Sequence, residues 1–505
     1  MGTDERSALD FAGALAGVYF PNMVKLTLLA AVAVAPLLAQ TGATATILGT
    51  VTDPTGAVVA GVSVTAVNVE TGLTRSTITG AAGDYSIFSL PIGRYDLRSQ
   101  SPGFRSSEVK DVPLTIDQRA RVDFHLVVGE TRETVTVIGD ATIVKTDDSS
   151  TSQVITERAI VDLPLNGRNF MQLTRLTAAV NTGDGYSITS GSVGTVGKDQ
   201  TAGSIYGQRN SNNQFRLDGI QTVEMTGNRA RLTPNMDAIE EFTLIKGIYP
   251  AEFGGVAGGT VNVAVKSGTN TLHGTLFEFL RNDKLDTRNF FDTTGRAPNL
   301  RRNQFGGVLG GPVKKDRTFF LISFDGLRLR QASTSTNRIP TPAMLSGNLS
   351  TLGKTINDPL NGNMPFAGAV IPAARIHPLS KALGALYPAP NNPGDPNRNW
   401  IAAFSEAVSN DDWIGRADHR LTSKDQVFAR YAWGRIQDSR PPVIPPFAVY
   451  TEDVSQGAVL AETHTFSPSL LNEARLGYTR VRFSGSVPPD RAHAQGSLPR
   501  RRSGR

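Results

Sequence analysis

The chain has 505 residues, with 50 Gly, 29 Pro, 19% charged residues and a formal net charge of +6. It contains no cysteine, which excludes disulfides and every cysteine-based metal or nucleophile site. The last fifteen residues hold five arginines and no acid, so the remainder sums to +6 − 5 = +1. The basic excess therefore belongs to a tail and argues against a nucleic-acid-binding face. Six scattered histidines, none in HExxH spacing, supply no metal site.

Met23–Lys25 followed by the apolar run Leu26–Ala39 has the form of a secretory signal over 23–39. Pro36 interrupts the run, which is too short for a comfortable membrane span; a lone anchor is the alternative. Residues 1–22 precede it awkwardly, which points to Met23 as the true start. No later run approaches the roughly 20 apolar residues of a spanning helix.

Residues 45–128 alternate with period two between closely spaced turn signals. Ile47–Val51 and Val62–Val67 read as strands around the Asp53-Pro54-Thr55-Gly56 turn, and Tyr85, Ile87, Tyr95 and Leu97 are placed to bury one face. About seven short strands in this length predict a small β-sandwich. Tyr85, Phe88 and Tyr95 are expected in the core or in strand pairing, and nothing marks a sugar platform.

Glu133, Thr134, Val135, Thr136 and Val137 form an extended β-branched segment suited to adding a strand to a partner's sheet edge. Its alternative is a last edge strand of the sandwich. Thr156–Leu163 then reads as a short helix stopped by Pro164, followed by a turn at Asn166-Gly167 and a second helix with Phe170, Leu173 and Leu176 on one face. In Ala238–Asn270, Ile239, Phe242, Leu244 and Ile245 form an apolar run and Val261, Val263 and Val265 alternate with small or polar residues. Between them Gly254, Gly255, Gly258 and Gly259 allow tight bends.

From His273 the pattern becomes longer alternating segments, which suit tilted membrane strands and equally the strands of a soluble β-sandwich. Phe320, Ile322 and Phe324 share one side of Thr318–Gly326, and Arg416, Asp418 and Arg420 share a polar face of Asp412–Leu421. Val427, Ala429, Tyr431 and Trp433 oppose Phe428, Arg430 and Ala432, while Glu473, Arg475 and Thr479 oppose Ala474, Leu476 and Tyr478. A Pro/Asn/Gly-rich stretch, roughly 331–410, has the character of an extracellular loop, and 489–505 reads as a basic disordered tail.

Several strings carry family resemblance. GTVTDPTGAVVAGVSVTA and GDYSIFSLPIGRYDL resemble carboxypeptidase regulatory-like domains, which implies a transthyretin-like, carbohydrate-binding-like sandwich. DLPLNGRNF (with Asn166, Gly167, Arg168 and Asn169), YGQRNSNNQFRLDGI (with Arg209, Asp218 and Gly219) and the GGxVNxxxKSGTN exit resemble Oar-like TonB-dependent outer-membrane receptors. The resemblance implies a mainly β chain: the sandwich, a small α/β plug over 130–267 and an antiparallel transmembrane β-barrel begun over 268–488. It makes Glu133–Val137 a TonB-box-like strand, and the expected roles of Arg168 and Arg209 are to satisfy buried carboxylates or barrel-wall acids.

Implied partners are TonB, outer-membrane lipid and a small ligand, carbohydrate among the options, with no cofactor and no nucleic acid. The implied location is a Gram-negative outer membrane, with the N-terminal domain in the periplasm. About seven candidate strands against roughly 22 in plugged transporters, and an Arg-rich end without a terminal aromatic, predict an incomplete barrel from a truncated frame. Energised, non-catalytic uptake is the leading reading; a periplasmic carbohydrate- or protein-binding module is the alternative. No GxSxG, HExxH or P-loop string supports an enzyme.

Overall fold

A computed structural model describes residues 44–486, apart from 130–133, 139–150, 182–202, 224–229, 231, 248, 250–254, 288–298, 441–448 and 468–469. The signal-like segment, Glu133, Gly254 and the arginine-rich tail lie outside the described residues.

The N-terminal sandwich is built from β1 (Thr44–Thr52), β2 (Ser63–Asn68), β3 (Thr74–Ile78), β4 (Asp84–Pro91), β5 (Gly93–Gln100), β6 (Ser106–Leu114), β7 (Arg119–Arg121) and β8 (Phe124–His125). One sheet has the order β4-β1-β7, with β8 also on β1; the other runs β3-β2-β5-β6. Alternation decides which side chains meet between them. Ile47 and Val51 of β1, Val64 and Ala66 of β2, and Tyr85, Ile87, Tyr95 and Leu97 are all buried in one core. Phe88 falls on the opposite phase of β4 and is 50% exposed, so of the two places expected for it, core or strand, it takes the strand and not the core. The two buried tyrosine hydroxyls are satisfied, Tyr85 donating to the Val122 carbonyl at 2.6 Å and Tyr95 to that of Pro91 at 2.8 Å. Burial pushes both phenol pKa values above the usual tyrosine range.

A further strand, β9 (Thr134–Ile138), pairs in parallel with β6, from Ser106↔Thr134 to Lys110↔Ile138. It is the outermost strand of that sheet. The TonB-box-like segment is therefore paired along Thr134–Val137, the edge-strand alternative, and not left open. The reason is local: β6 presents unpaired main-chain groups, and an extended β-branched segment satisfies them.

The central unit follows with β10 (Thr151–Thr156), helix α1 (Glu157–Asp162), β11 (Val180–Asn181), β12 (Ser204–Ile205), β13 (Gln214–Leu217), β14 (Ile220–Gln221), β15 (Ile239–Lys246) and β16 (Thr260–Val265). Its main sheet has the order β10-β15-β16-β13-β14. Phe170 anchors the core, edge-on to Phe242 at 5.3 Å between ring centroids. The second helix is a 3₁₀ segment, Phe170–Leu176; Phe170 and Leu173 are buried as expected, but Leu176, the last residue before the chain becomes extended at Thr177, is 61% exposed. Every residue of β16 is buried, Thr260, Asn262 and Ala264 included. The polar face is covered by the sandwich: Asn262 donates to Asp117 at 3.1 Å, and Glu241 accepts from the Ile116 N–H.

A seven-stranded antiparallel meander completes the chain: β17 (His273–Asn282), β18 (Leu300–Lys314), β19 (Thr318–Asn337), β22 (Trp400–Arg420), β23 (Asp425–Arg440), β24 (Val449–Ser467) and β25 (Leu470–Ser486). The small pair β20 (Asn357–Asp358) and β21 (Met364–Pro365) lies in the long connection before β22. β19 and β22 pair residue for residue from Thr318↔His419 to Asn337↔Trp400, so both enter the stretch assigned to a loop, which shrinks to 338–399. These strands have 20 and 21 residues, about twice the length that the membrane strands expected from the sequence require. The sequence phases hold on both faces. Leu321, Ser323, Asp325, Asp412, Asp418 and Arg430 are buried on one, while Ile322, Trp413, Tyr431, Leu460 and Leu476 are exposed on the other. Among the described residues β17 and β25 are edges of an open sheet.

Connections at one end are short, as at Asp316 and Leu421–Lys424; those at the other include 338–399. The sandwich meets the short-turn end. Asn270 and Asp316 exchange two hydrogen bonds of 2.7 Å, the Asn270 N–H donates to the Glu70 carbonyl at 3.1 Å, and Arg75 reaches Thr465 at 3.1 Å. Asn270 of the SGTN string thus ties sandwich, central unit and barrel sheet together.

Candidate functional site

The side chains with most at stake lie where the central unit meets the inner face of the barrel sheet. β13 and β14 are joined by the two-residue turn Asp218-Gly219, with φ of 49° and 80°. Positive φ at both positions is the type I′ geometry that Asp-Gly favours. The turn carries a carboxylate into the interface, where Asp218 is buried and accepts from the Val265 N–H at 2.9 Å.

Three barrel arginines converge on this turn from β22, β23 and β25. The fully buried Arg430 guanidinium pairs with the Asp218 carboxylate at 2.7 Å and donates to the Leu217 carbonyl at 3.2 Å. Arg416 lies 3.6 Å from Asp218, donates to the Val265 carbonyl at 2.7 Å, and is held by Asp418 through two bonds of 2.9 Å. Arg475 donates to the Asp218 carbonyl at 2.7 Å and is paired with Glu473 at 2.6 Å. A buried charge is tolerated only when paired and hydrogen-bonded, and here each arginine has a carboxylate within reach.

A second contact uses the NGR turn. Gly167 and Arg168 both have positive φ, 72° and 53°. The Arg168 guanidinium pairs with Asp237 and stands over Phe277 and Phe279 of β17, 4.4 and 4.6 Å from their centroids. Arg302 of β18 donates to the Gly167 carbonyl at 3.1 Å. Asn169 caps the following 3₁₀ segment by accepting from the Met171 N–H. The expectation that Arg168 satisfies a carboxylate is met within the central unit. Arg209 is exposed, so the buried carboxylate falls to Arg430 and Arg416 instead.

The glycines divide by role. Gly255 adopts φ of 89° and serves a bend. Gly258 and Gly259 serve close packing: a Cβ on Gly258 would lie 2.2 Å from Asn213 Oδ1, and one on Gly259 2.5 Å from Ile205. Gly268 of the exit string passes equally close to the barrel wall, 2.4 Å from the Phe320 carbonyl oxygen to the position of a Cβ. Asp-Gly at 218–219 and the inward phase of Arg416, Arg430 and Arg475 were legible signals. Their convergence depends on strands 151 to 257 residues apart in sequence, as for Arg430 and Leu217 with a separation of 213.

One group of described residues could hold a metal ion: Asp425, Glu462 and His464, with ligand atoms within 4.8 Å of one another. His464 and Asp425 are directly opposite across β23–β24 and in contact, and Thr422 donates to Asp425, which accounts for the cluster as strand-end hydrogen bonding.

Comparison with known proteins identifies the segments. Residues 46–127 match the carboxypeptidase regulatory-like domain, and residues 264–501 match the outer membrane beta barrel domain. The chain is 27% identical over 294 residues to the TonB-dependent transporter Oar of Myxococcus xanthus. Over that span the chain is similar to Oar. The alignment takes in 55% of this chain and 26% of Oar, so the chain spans about a quarter of that relative's length. It is also similar to the solved ferric enterobactin receptor of Pseudomonas aeruginosa, at 16% identity over 66% of this chain and 40% of that one, with a TM-score of 0.38. The outer membrane transporter YddB of Escherichia coli aligns at 12% identity over 65% and 38% of the two chains, with a TM-score of 0.41. The barrel segment belongs to the outer membrane of a Gram-negative cell.

Proposed function

We propose that the chain is the receptor portion of a TonB-dependent, non-catalytic uptake system, in which residues 130–267 act as a plug. The observation that carries this reading is the convergence of Arg416, Arg430 and Arg475 on the Asp218-Gly219 turn and on Val265. A mostly polar interface between a compact unit and a sheet lined with charged side chains can be held at rest and broken by force, whereas an apolar core would not separate without large exposure of hydrocarbon to water. Short connections at the end that meets the sandwich fit a periplasmic position for that domain, since outer-membrane barrels turn tightly on that side. The chemistry is binding and displacement of a small ligand, with no bond made or broken; carbohydrate is one option among ligand classes.

In this reading β9 is the strand that TonB engages. Because it is paired with β6 on one edge, the partner strand either extends the sheet on the other edge or takes β9 away from β6. The test is binding of purified TonB C-terminal domain to the full chain, with Val135→Pro as the variant. Proline removes a ladder donor, so binding is expected to disappear. Undiminished binding would overturn the role of β9, and no binding by the parent chain would overturn the reading itself.

A further inference from the structure

The outer face of β18 and β19 carries two features in line along the strands. The lower one is an apolar groove of about 510 Å³ lined by Leu276, Phe305, Gly307, Leu309, Ile322 and Phe324. Its floor is the backbone of Gly307, whose cross-strand partners are Leu276 on β17 and Phe324 on β19; with no side chain there, Leu276 leans over the strand, and its Cδ2 lies 2.6 Å from where a Cβ would be. Phe305, Gly307 and Leu309 share the outward phase of β18, because Gln304, Val308 and Gly310 are buried on the inward one. Leu276 is 92% exposed, as a lipid-facing residue is in the absence of lipid.

The upper feature is a pair of arginines. Arg301 of β18 and Arg330 of β19 are direct cross-strand partners on the outward face, and both are exposed. Their other neighbours in the same row are Asn282 on β17 and Ala407 on β22, neither of them acidic. Arg328, two residues below Arg330, is neutralised by Asp411 at 2.8 Å. Among the described residues no carboxylate does the same for Arg301 or Arg330, and Arg330 donates only to the neighbouring Leu329 carbonyl, at 3.0 Å. Like charges directly opposite each other, with Cβ atoms about 5 Å apart, destabilise a sheet unless an anion stands between them.

The two features are spaced as one amphiphile. Arg301 lies four residues from Phe305, about 13 Å along the strand. At the 35–45° tilt of outer-membrane strands this is about 10 Å of membrane depth. A snorkelling guanidinium covers most of that distance, which sets it at the headgroup layer above the apolar band. The arginine pair lies toward the end of the sheet bearing the long connection 338–399 and away from the sandwich, that is, on the outer-leaflet side.

We propose that this face binds a phosphorylated lipid of the outer leaflet, its phosphate held between Arg301 and Arg330 and an acyl chain lying in the groove beneath. Two guanidinium forks around one phosphate give paired charge-assisted hydrogen bonds and remove the Arg–Arg repulsion. The inference rests on the outer-membrane location and not on TonB coupling.

The test uses the full chain in zwitterionic micelles, with lipid A as probe and thermal unfolding and titration as readouts. Lipid A is expected to raise the melting temperature of the parent chain. The double variant Arg301→Gln/Arg330→Gln is expected to bind it about tenfold more weakly or worse, whereas Arg480→Gln/Arg482→Gln, a charge-matched change on β25, leaves binding unaltered. Arg301→Glu supplies the missing partner from within the protein, so it is expected to raise stability without lipid and to abolish the response to lipid A. Equal binding by the double variant, or an equal response to dephosphorylated lipid A, would overturn the phosphate site. An equal response to inorganic phosphate alone would overturn the lipid assignment, as would a drop in lipid-free stability for Arg301→Glu.

Discussion

The sandwich and the central unit use the same strand chemistry in opposite settings. In β1 and β2 every second residue is buried and its neighbour is partly exposed, so one face meets the core and the other meets water. In β16 all six residues are buried, because one face packs on Phe170 and Phe242 while the other is covered by the Ile116–Asp117 turn of the sandwich. A sheet with one wet face can be stabilised by apolar burial alone. A sheet covered on both faces must pair every polar group it places there, and its weakest points are then charges, not cavities.

The sharpest way to break that contrast is Asp218→Ala. It leaves the fully buried Arg430 without its carboxylate, and loss of one partner of a buried pair costs about 3–5 kcal/mol. Trp400, Trp413 and Trp433 all lie in the barrel sheet, so urea unfolding of the full chain followed by tryptophan fluorescence reads that interface. The exposed Arg94–Asp111 pair of the sandwich is the control, and Arg94→Ala is expected to leave the melting temperature where it was. A similar loss from both variants would remove the distinction between the two regions.

The next effect belongs to the sandwich. Leu97 is completely buried in a core separate from that of the central unit, so Leu97→Ala is expected to cost about 2–5 kcal/mol by lost transfer energy and residual cavity. Apart from the β9 ladder on the edge of β6, the contacts of the sandwich with the rest of the chain are polar turns, so a fragment covering 44–129 should fold alone with a β-type circular dichroism spectrum and a cooperative melt. Failure to fold would mean that the covering turns sustain the sandwich as well as the central sheet. A smaller step is Tyr85→Phe in the same fragment. It removes the 2.6 Å bond to the Val122 carbonyl while keeping the ring, for an expected loss of about 1 kcal/mol.

The same contrast explains what could be read from sequence. Where only one face of a sheet packs against the rest of the chain, period-two alternation separated the faces correctly: Tyr85, Ile87, Tyr95 and Leu97 point into the sandwich core, and Arg416 and Asp418 share the polar, inward face of the barrel sheet. Phe88 misled because an aromatic in a strand signals pairing or packing without saying which face it takes. In the central unit the alternation of Val261, Val263 and Val265 was real, but it could not show that Asn262 would be buried beneath another domain. The pairing of β9 with β6 was one of two readings of an extended segment, and local sequence cannot decide between a free edge and an occupied one. The arginine convergence on Asp218 was beyond reach for a different reason, since each residue's phase is local but the register that brings them together is a property of the whole sheet.

The smallest effect should appear as a slope with pH, at a residue on the covered sheet. Glu240 on β15 is half-buried, near Glu157, Lys266, Glu70 and Arg416, and burial followed by the Glu157 charge raises its pKa from the ordinary 4.5 to about 7. Between pH 4.5 and 7 the unfolded chain has lost this proton while the folded chain retains it. The folded state then binds more protons, so this group's contribution to stability falls as pH rises through that window and is constant above it. The opposite sign would hold for a carboxylate stabilised in its charged form, as Asp111 is by the hydrogen-bonded Arg94 guanidinium. Glu240→Gln keeps the shape and removes the titration. It is expected to flatten the fall between pH 4.5 and 7 and to leave the variant more stable than the parent at pH 8, with little difference at pH 4. Urea midpoints measured across that range decide the matter. Parallel profiles for the two chains would mean that Glu240 is solvated in spite of the sandwich above it, and that the second face of the central sheet is more open than its hydrogen bonds to Ile116 and Asp117 imply.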